Sequence, residues 1–232
     1  MSDRHTDKPP AADPTTAEFS PDLLRRLVAP IARTIGPRML GGAQRMRASQ
    51  FAEFSPAPGQ VVLLGDSITE YGLWHEWFSG QPVLNRGISG ETSADLLRRL
   101  DTALHEPAAV FVLIGTNDLS AGISLAEIVR NVRALLDEIE RRAPGASVVV
   151  QSVMPRTARF RDDIRLLNDA YRALVDAAPA HVQYLDLWPA LADEQGLLHS
   201  EFTEDHLHLG GAGYAAWVDV LRPHVMKLLS VS

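Results

Sequence analysis

Five apolar runs of strand length, at 61–65, 82–85, 109–114, 147–152 and 181–186, constrain this chain more than any other feature. Helical patterns near 72–79, 93–104, 124–142, 162–177 and 211–229 fall between and after them. The clearest is the stripe Leu125, Ile128, Val129, Val132, Leu135, Leu136 and Ile139, which repeats at helical spacing. Alternation of this kind returns each strand to the sheet through a helix, so parallel strands with helices on both faces are expected. Right-handed crossovers then favour a three-layer α/β/α domain with a five-stranded parallel sheet of order 2-1-3-4-5. In such a sheet ligands bind beyond the carboxyl ends of the strands, where strand order reverses, which is around strand 1.

The residues that follow the first three strands are small and polar. Strand 1 runs into Gly65-Asp66-Ser67, strand 2 into Asn85-Arg86-Gly87-Ile88-Ser89-Gly90, and strand 3 into Gly115-Thr116-Asn117-Asp118. The order 2-1-3 makes these loops neighbours, with Ser67 between a glycine amide and an asparagine amide. That is the composition of an oxyanion hole around a nucleophile. A serine hydroxyl needs a base to take its proton, and the base needs an orienting partner. "TEDHLHLGGAGY" (203–214) offers Asp205, His206 and His208 just before the last helix. Each piece alone has a plainer meaning. Gly65-Asp66-Ser67 is a capped turn, Asn117-Asp118 is a turn former, and Ser89 shapes its loop. His199, Asp205, His206 and His208 are also residue types that ligate metals.

Together "GDSIT" (65–69), "NRGISGETS" (85–93), "IGTND" (114–118) and "DHLHL" (205–209) resemble the four signature blocks of the SGNH, or GDSL-type, serine hydrolases. They stand in family order and cover roughly 58–229. The strand-2 region and "MPR" (154–156) look closest to the intracellular platelet-activating-factor acetylhydrolase-like esterases. The resemblance implies the flavodoxin-like SGNH fold, with Ser67 as nucleophile, His208 as general base and acid, and Asp205 as its orienting partner. It implies an oxyanion hole made of the Ser67 and Gly90 N–H groups and the Asn117 side chain. No metal or organic cofactor is implied. Isoleucine at 68 replaces the family leucine, and His206 is an extra histidine that the D-x-x-H spacing passes over. Arg156, after strand 4, is a candidate substrate contact. The implied activity is hydrolysis of short, acetyl-like carboxylic esters of a small alcohol, lipid or sugar. Carbohydrate O-deacetylation and acyl transfer use the same residues. A binding or scaffold protein that keeps the fold is the alternative of another class, against which the complete residue set speaks.

Residues before 58 lie outside that pattern. Residues 1–20, with Pro9, Pro10 and Pro14, read as a disordered tail. Residues 21–57 read as a basic helical arm, which leaves 58–232 as the hydrolase domain. Ser20 and Pro21 start a first helix, Pro30 kinks or ends it, Gly41-Gly42 breaks the arm, and a second helix runs to about Phe54. Between Leu23 and Ala52 stand six arginines and no acid, so this stretch carries +6 in a chain of net charge −7. Three roles fit it: packing on the domain, a homodimer contact, or peripheral contact with an anionic membrane. We also expect it to shape the acyl pocket. The net negative charge argues against nucleic acid as partner. The absence of cysteine removes disulfides and thiolate chemistry. The polar start, MSDRHTDKPP, lacks a signal peptide's apolar core, so a cytoplasmic protein is expected. Neither G-x-S-x-G nor a phosphate-binding glycine loop follows strand 1.

Overall fold

The computed structural model describes residues 40–54 and 56–231. The expectations for residues 1–39 lie outside the described residues. A helix, α1, covers 40–53. It contains Gly41-Gly42, where a break was expected. Glycine in a helix costs about 1 kcal/mol relative to alanine, and the anchoring of the residues that follow outweighs this. Phe51 is buried, under the guanidinium groups of Arg47 (5.0 Å) and Arg86 (4.5 Å).

Strands β1 (Val61–Gly65), β2 (Val83–Gly87), β3 (Ala109–Leu113), β4 (Ser147–Gln151) and β5 (Val182–Leu185) form one parallel sheet of order β2-β1-β3-β4-β5. This is the expected topology. β1 lies at the reversal point, and Val61 through Leu64 are all essentially buried because both faces of the sheet are covered. On one face Val62, Leu64, Val110 and Val112 meet α4 (Ser93–Arg98), α6 (Leu125–Arg142) and α7 (Ala158–Asp176) through Leu96, Ile128, Val132, Leu135, Ile164 and Leu167. On the other, Val61, Leu63 and Phe111 meet α3 (Trp74–Trp77), α8 (Trp188–Leu191) and α9 (Gly211–Val231) through Trp74, Leu191, Trp217 and Leu221. The amphipathic stripe of α6 buries Ile128, Val132, Leu135, Leu136 and Ile139, as its spacing predicts.

Three boundaries differ from expectation. β2 continues through Asn85-Arg86-Gly87, which pair with Leu63, Leu64 and Gly65. A buried arginine reads as loop in sequence, yet Arg86 donates to Phe54 O and Thr102 O and stacks on Phe51. The helix expected at 93–104 is α4 followed by a separate 3₁₀ turn, Leu100–Thr102. Its start is fixed by a capping box between Thr92 and Asp95. Two short helices, α2 (Ser67–Glu70) and α5 (Thr116–Ser120), occupy segments read as loops. One turn of helix is too brief to leave a periodic signature.

Candidate active site

The sheet delivers three segments to one edge. β1 ends in Gly65, and the Asp66 side chain caps α2 by accepting the Ile68 N–H at 3.0 Å. Ser67 is therefore the first residue of a helix that starts where the strand stops. A side chain at Gly65 would meet Leu113 O at 2.6 Å, and one at Gly87 would meet Glu70 N at 2.3 Å, so both sites exclude a Cβ. α2 can sit against β1 and β2 only because these positions are bare.

Ser67 is 5% exposed. Its Oγ lies 2.9 Å from Nε2 of His208, and Nδ1 of His208 lies 2.6 Å from Oδ2 of Asp205. The other carboxylate oxygen, Oδ1, accepts the N–H groups of Leu207 (2.9 Å) and His208 (2.7 Å). One aspartate thus fixes both the loop and the ring. With Nδ1–H donated to the carboxylate, Nε2 is left to accept the serine proton. Burial opposes ionisation of Asp205, but the hydrogen bonds from His208 and Leu207 win and hold its carboxyl well below the usual range. The loop is tied down by Tyr214, at the start of α9, whose hydroxyl donates to Ile68 O at 2.7 Å. The Tyr71 ring tilts against His208 at 5.3 Å and is half exposed.

Residues Ile88–Glu91 form a turn closed by Glu91 N–H to Ile88 O (3.3 Å), with Gly90 at φ 75°. A positive φ at the third position is the type II pattern, which favours glycine. Among the described residues neither the Ser67 N–H nor the Gly90 N–H meets a protein acceptor. Asn117 is carried by α5 and donates to Glu91 O at 2.9 Å, so its side chain reaches the turn that holds Gly90. Behind it the buried Asp118 accepts the Ser93 N–H and hydroxyl, and the buried Arg99–Glu91 ion pair ties the turn to α4.

The structure therefore brings Ser67, Asp205 and His208 into one hydrogen-bonded chain. Arg156 is turned towards α5, where Nη1 donates to Ser120 Oγ (2.8 Å) and Thr116 Oγ1 (3.2 Å). Its guanidinium lies 4.0 Å above the Phe160 ring. His206 stands exposed at φ 58° in the turn between Asp205 and His208. The His199 ring lies tilted against Phe202, with centroids 5.1 Å apart. Among the described residues no cluster of three or more His, Asp or Glu converges at metal-binding distance. Sequence reasoning missed Glu70, whose Oε2 accepts the Ser89 N–H (2.5 Å) and hydroxyl (2.7 Å). Only the four-residue spacing from Asp66 on a capped turn hinted at it.

Asp66 supplies a stability prediction. Burial, reinforced by Asp118 and Glu91 and opposed by the Ile68 N–H and Arg156, pushes its carboxyl up to about 7. The folded state then holds this proton more tightly than the unfolded chain, so Asp66 costs stability as pH rises from about 4 through 7. Asp66→Asn keeps an oxygen for the Ile68 N–H and removes the ionisation. Melting curves at pH 5 and pH 8 should show the asparagine variant gaining on wild type at the higher pH, by on the order of a few kcal/mol. An unchanged difference would refute the assignment.

The fold is that of an α/β/α hydrolase, with the candidate site at the carboxyl edge of its sheet. The GDSL-like lipase/acylhydrolase family pattern matches residues 63–216. The chain belongs to this family and is a carboxylic ester hydrolase. It is similar to the platelet-activating factor acetylhydrolase IB subunit alpha1 of Bos taurus, 29% identical over 181 residues, 74% of this chain and 77% of that protein. The alpha2 subunit of Rattus norvegicus is 30% identical over 179 residues, 73% and 77% of the two chains. A solved platelet activating factor structure from Streptococcus pneumonia superposes with TM-score 0.79 at 28% identity, over 84% of this chain and 98% of that one.

Proposed function

We propose that this protein is a serine esterase that cleaves short, acetyl-like esters through an acyl-enzyme on Ser67. The observation that carries the proposal is the unbroken chain Ser67 Oγ–His208 Nε2–His208 Nδ1–Asp205 Oδ2, at 2.9 and 2.6 Å. Ser67 Oγ attacks the ester carbonyl while Nε2 takes its proton. The carbonyl oxygen becomes an oxyanion, received by the Ser67 and Gly90 N–H groups and the Asn117 amide. The imidazolium, stabilised by ionised Asp205, returns the proton to the leaving alkoxide oxygen as the C–O bond breaks. Water then repeats the sequence on the acyl-serine, with His208 as base, and releases the acid.

Two points support a small acyl group. The serine is almost wholly covered, which leaves little approach for a long chain, and the relatives described above are acetylhydrolases by name. Arg156 is retained as a proposed substrate contact: its hydrogen bonds to α5 all run from Nη1, while its Nε is buried and out of a ligand's reach. The homodimer and membrane roles of the arm, 21–57, are proposals, and its residues 21–39 and 55 lie outside those described. No described helix is long and apolar enough to cross a membrane.

Hydrolysis of p-nitrophenyl esters from acetyl to palmitoyl tests the substrate class. The acetyl and butyryl esters should give the highest kcat/KM, and a maximum at long chains would contradict the proposal. Asn117→Ala should lower kcat by about 10²–10³ with little change in KM, because an oxyanion donor acts in the transition state. Steady-state kinetics on p-nitrophenyl acetate measures this directly.

A further inference from the structure

Helix α1 lies before the segment that the family pattern matches, yet it holds the turn that carries Gly90. Gln44 Nε2 donates to Ser89 O at 2.9 Å. Arg47 Nε donates to Gly87 O at 2.6 Å and lies 3.4 Å from Glu70 Oε1, while Glu70 Oε2 accepts the Ser89 N–H and hydroxyl. Ser89 is thus gripped at its N–H, its side chain and its C=O. Phe51, buried further along the same helix, seats α1.

The grip on Ser89 O matters because of peptide geometry. Ser89 O and the Gly90 N–H belong to one planar trans peptide and point in opposite directions. This peptide is the central one of the Ile88–Glu91 turn, the unit whose rotation converts type II into type I. With glycine at 90 both forms are sterically open. A donor on Ser89 O selects one of them and turns the Gly90 N–H away from α1. It also polarises that peptide, which strengthens its N–H as a donor.

We propose that Gln44, supported by the Arg47–Glu70 pair, is a positioning residue that fixes the Ser89–Gly90 peptide and thereby sets the oxyanion hole from outside the segment that the family pattern matches. This rests on the proposed role of the Gly90 N–H. Gln44 touches no reacting atom. Its effect belongs to the transition state, so it should appear in kcat and leave KM nearly unchanged.

The test uses the full chain with Gln44→Met, which keeps length and neutrality but lacks the donor, and Gln44→Lys, which restores one. The readouts are kcat and KM for p-nitrophenyl acetate, the inhibition constant of a boronic acid whose serine adduct places an oxygen in the hole, and the melting temperature. Gln44→Met should lose about tenfold in kcat and in boronate affinity at wild-type melting temperature, less than the 10²–10³ of an abolished donor. Gln44→Lys should recover most of both. Wild-type kcat and boronate affinity in Gln44→Met would overturn the inference, as would a loss explained by a lowered melting temperature alone. Asn117→Ala and Ser67→Ala run alongside separate the two levels. If they lose activity and Gln44→Met does not, only the role of Gln44 falls. If Ser67→Ala remains active, the serine mechanism falls and this inference with it.

Discussion

Alanine at position 67 is expected to lower kcat for short esters by about 10⁴–10⁶, the loss seen when a hydrolase is stripped of its serine nucleophile. The magnitude follows from how the site is divided. Without Oγ no acyl-enzyme forms, and His208 is left facing a methyl group. What remains is rate enhancement from binding and from the oxyanion donors, which the substitution does not touch. Ser89 cannot substitute, because its hydroxyl donates to Glu70 and has no histidine as base. The fold should tolerate the change, since Asp66 and not Ser67 caps α2. Unaltered melting together with lost turnover would place the effect in the chemistry. A residual rate within tenfold of wild type would rule out Ser67 as nucleophile.

Asp205→Asn should cost about 10⁴ in kcat, although the side chain keeps its shape. The remaining oxygen can still accept the N–H groups of Leu207 and His208, so the loop should hold. The amide nitrogen, however, would face His208 Nδ1, where a carboxylate oxygen now stands at 2.6 Å. An N–H there favours the tautomer with the proton on Nε2, which then points a donor at Ser67 instead of an acceptor. The imidazolium formed in each step also loses its counter-charge. On the proposed mechanism the three residues act as one device, so the double variant Ser67→Ala/Asp205→Asn should be scarcely slower than Ser67→Ala alone. Kinetics on the two single variants and the double measure this. Losses that multiply would show that Asp205 acts independently of the serine.

Much of this was legible in sequence because the constraints are local. A fully buried central strand can only be an unbroken apolar run, and Val61-Val62-Leu63-Leu64 is one. Ser67, His208 and Asp205, the proposed triad, sit in short blocks at strand or helix ends, where a few residues determine the turn. Features that rest on long-range compensation were not legible. Arg86 extends β2 only because Phe51, Phe54 and Thr102 arrive from elsewhere to receive its guanidinium. Gly41-Gly42 is spanned by α1 because residues after it anchor the helix. Glu70 and Gln44 reach the Ser89 turn from separations of 19 and 45 residues, which no spacing rule connects. Arg156 reads in sequence as a candidate substrate contact, and its engagement with α5 depends on Ser120 and Phe160 lying within reach.

The most direct measurement of the central claim is the site of covalent capture by a fluorophosphonate, which reacts readily only with an activated serine. Wild-type protein should take up one equivalent, and peptide mass spectrometry should place it on Ser67. Labelling should disappear in Ser67→Ala and fall sharply in His208→Ala, where no base remains to take the proton. Absence of an adduct on folded wild-type protein, or an adduct on another serine such as Ser89, would contradict the account.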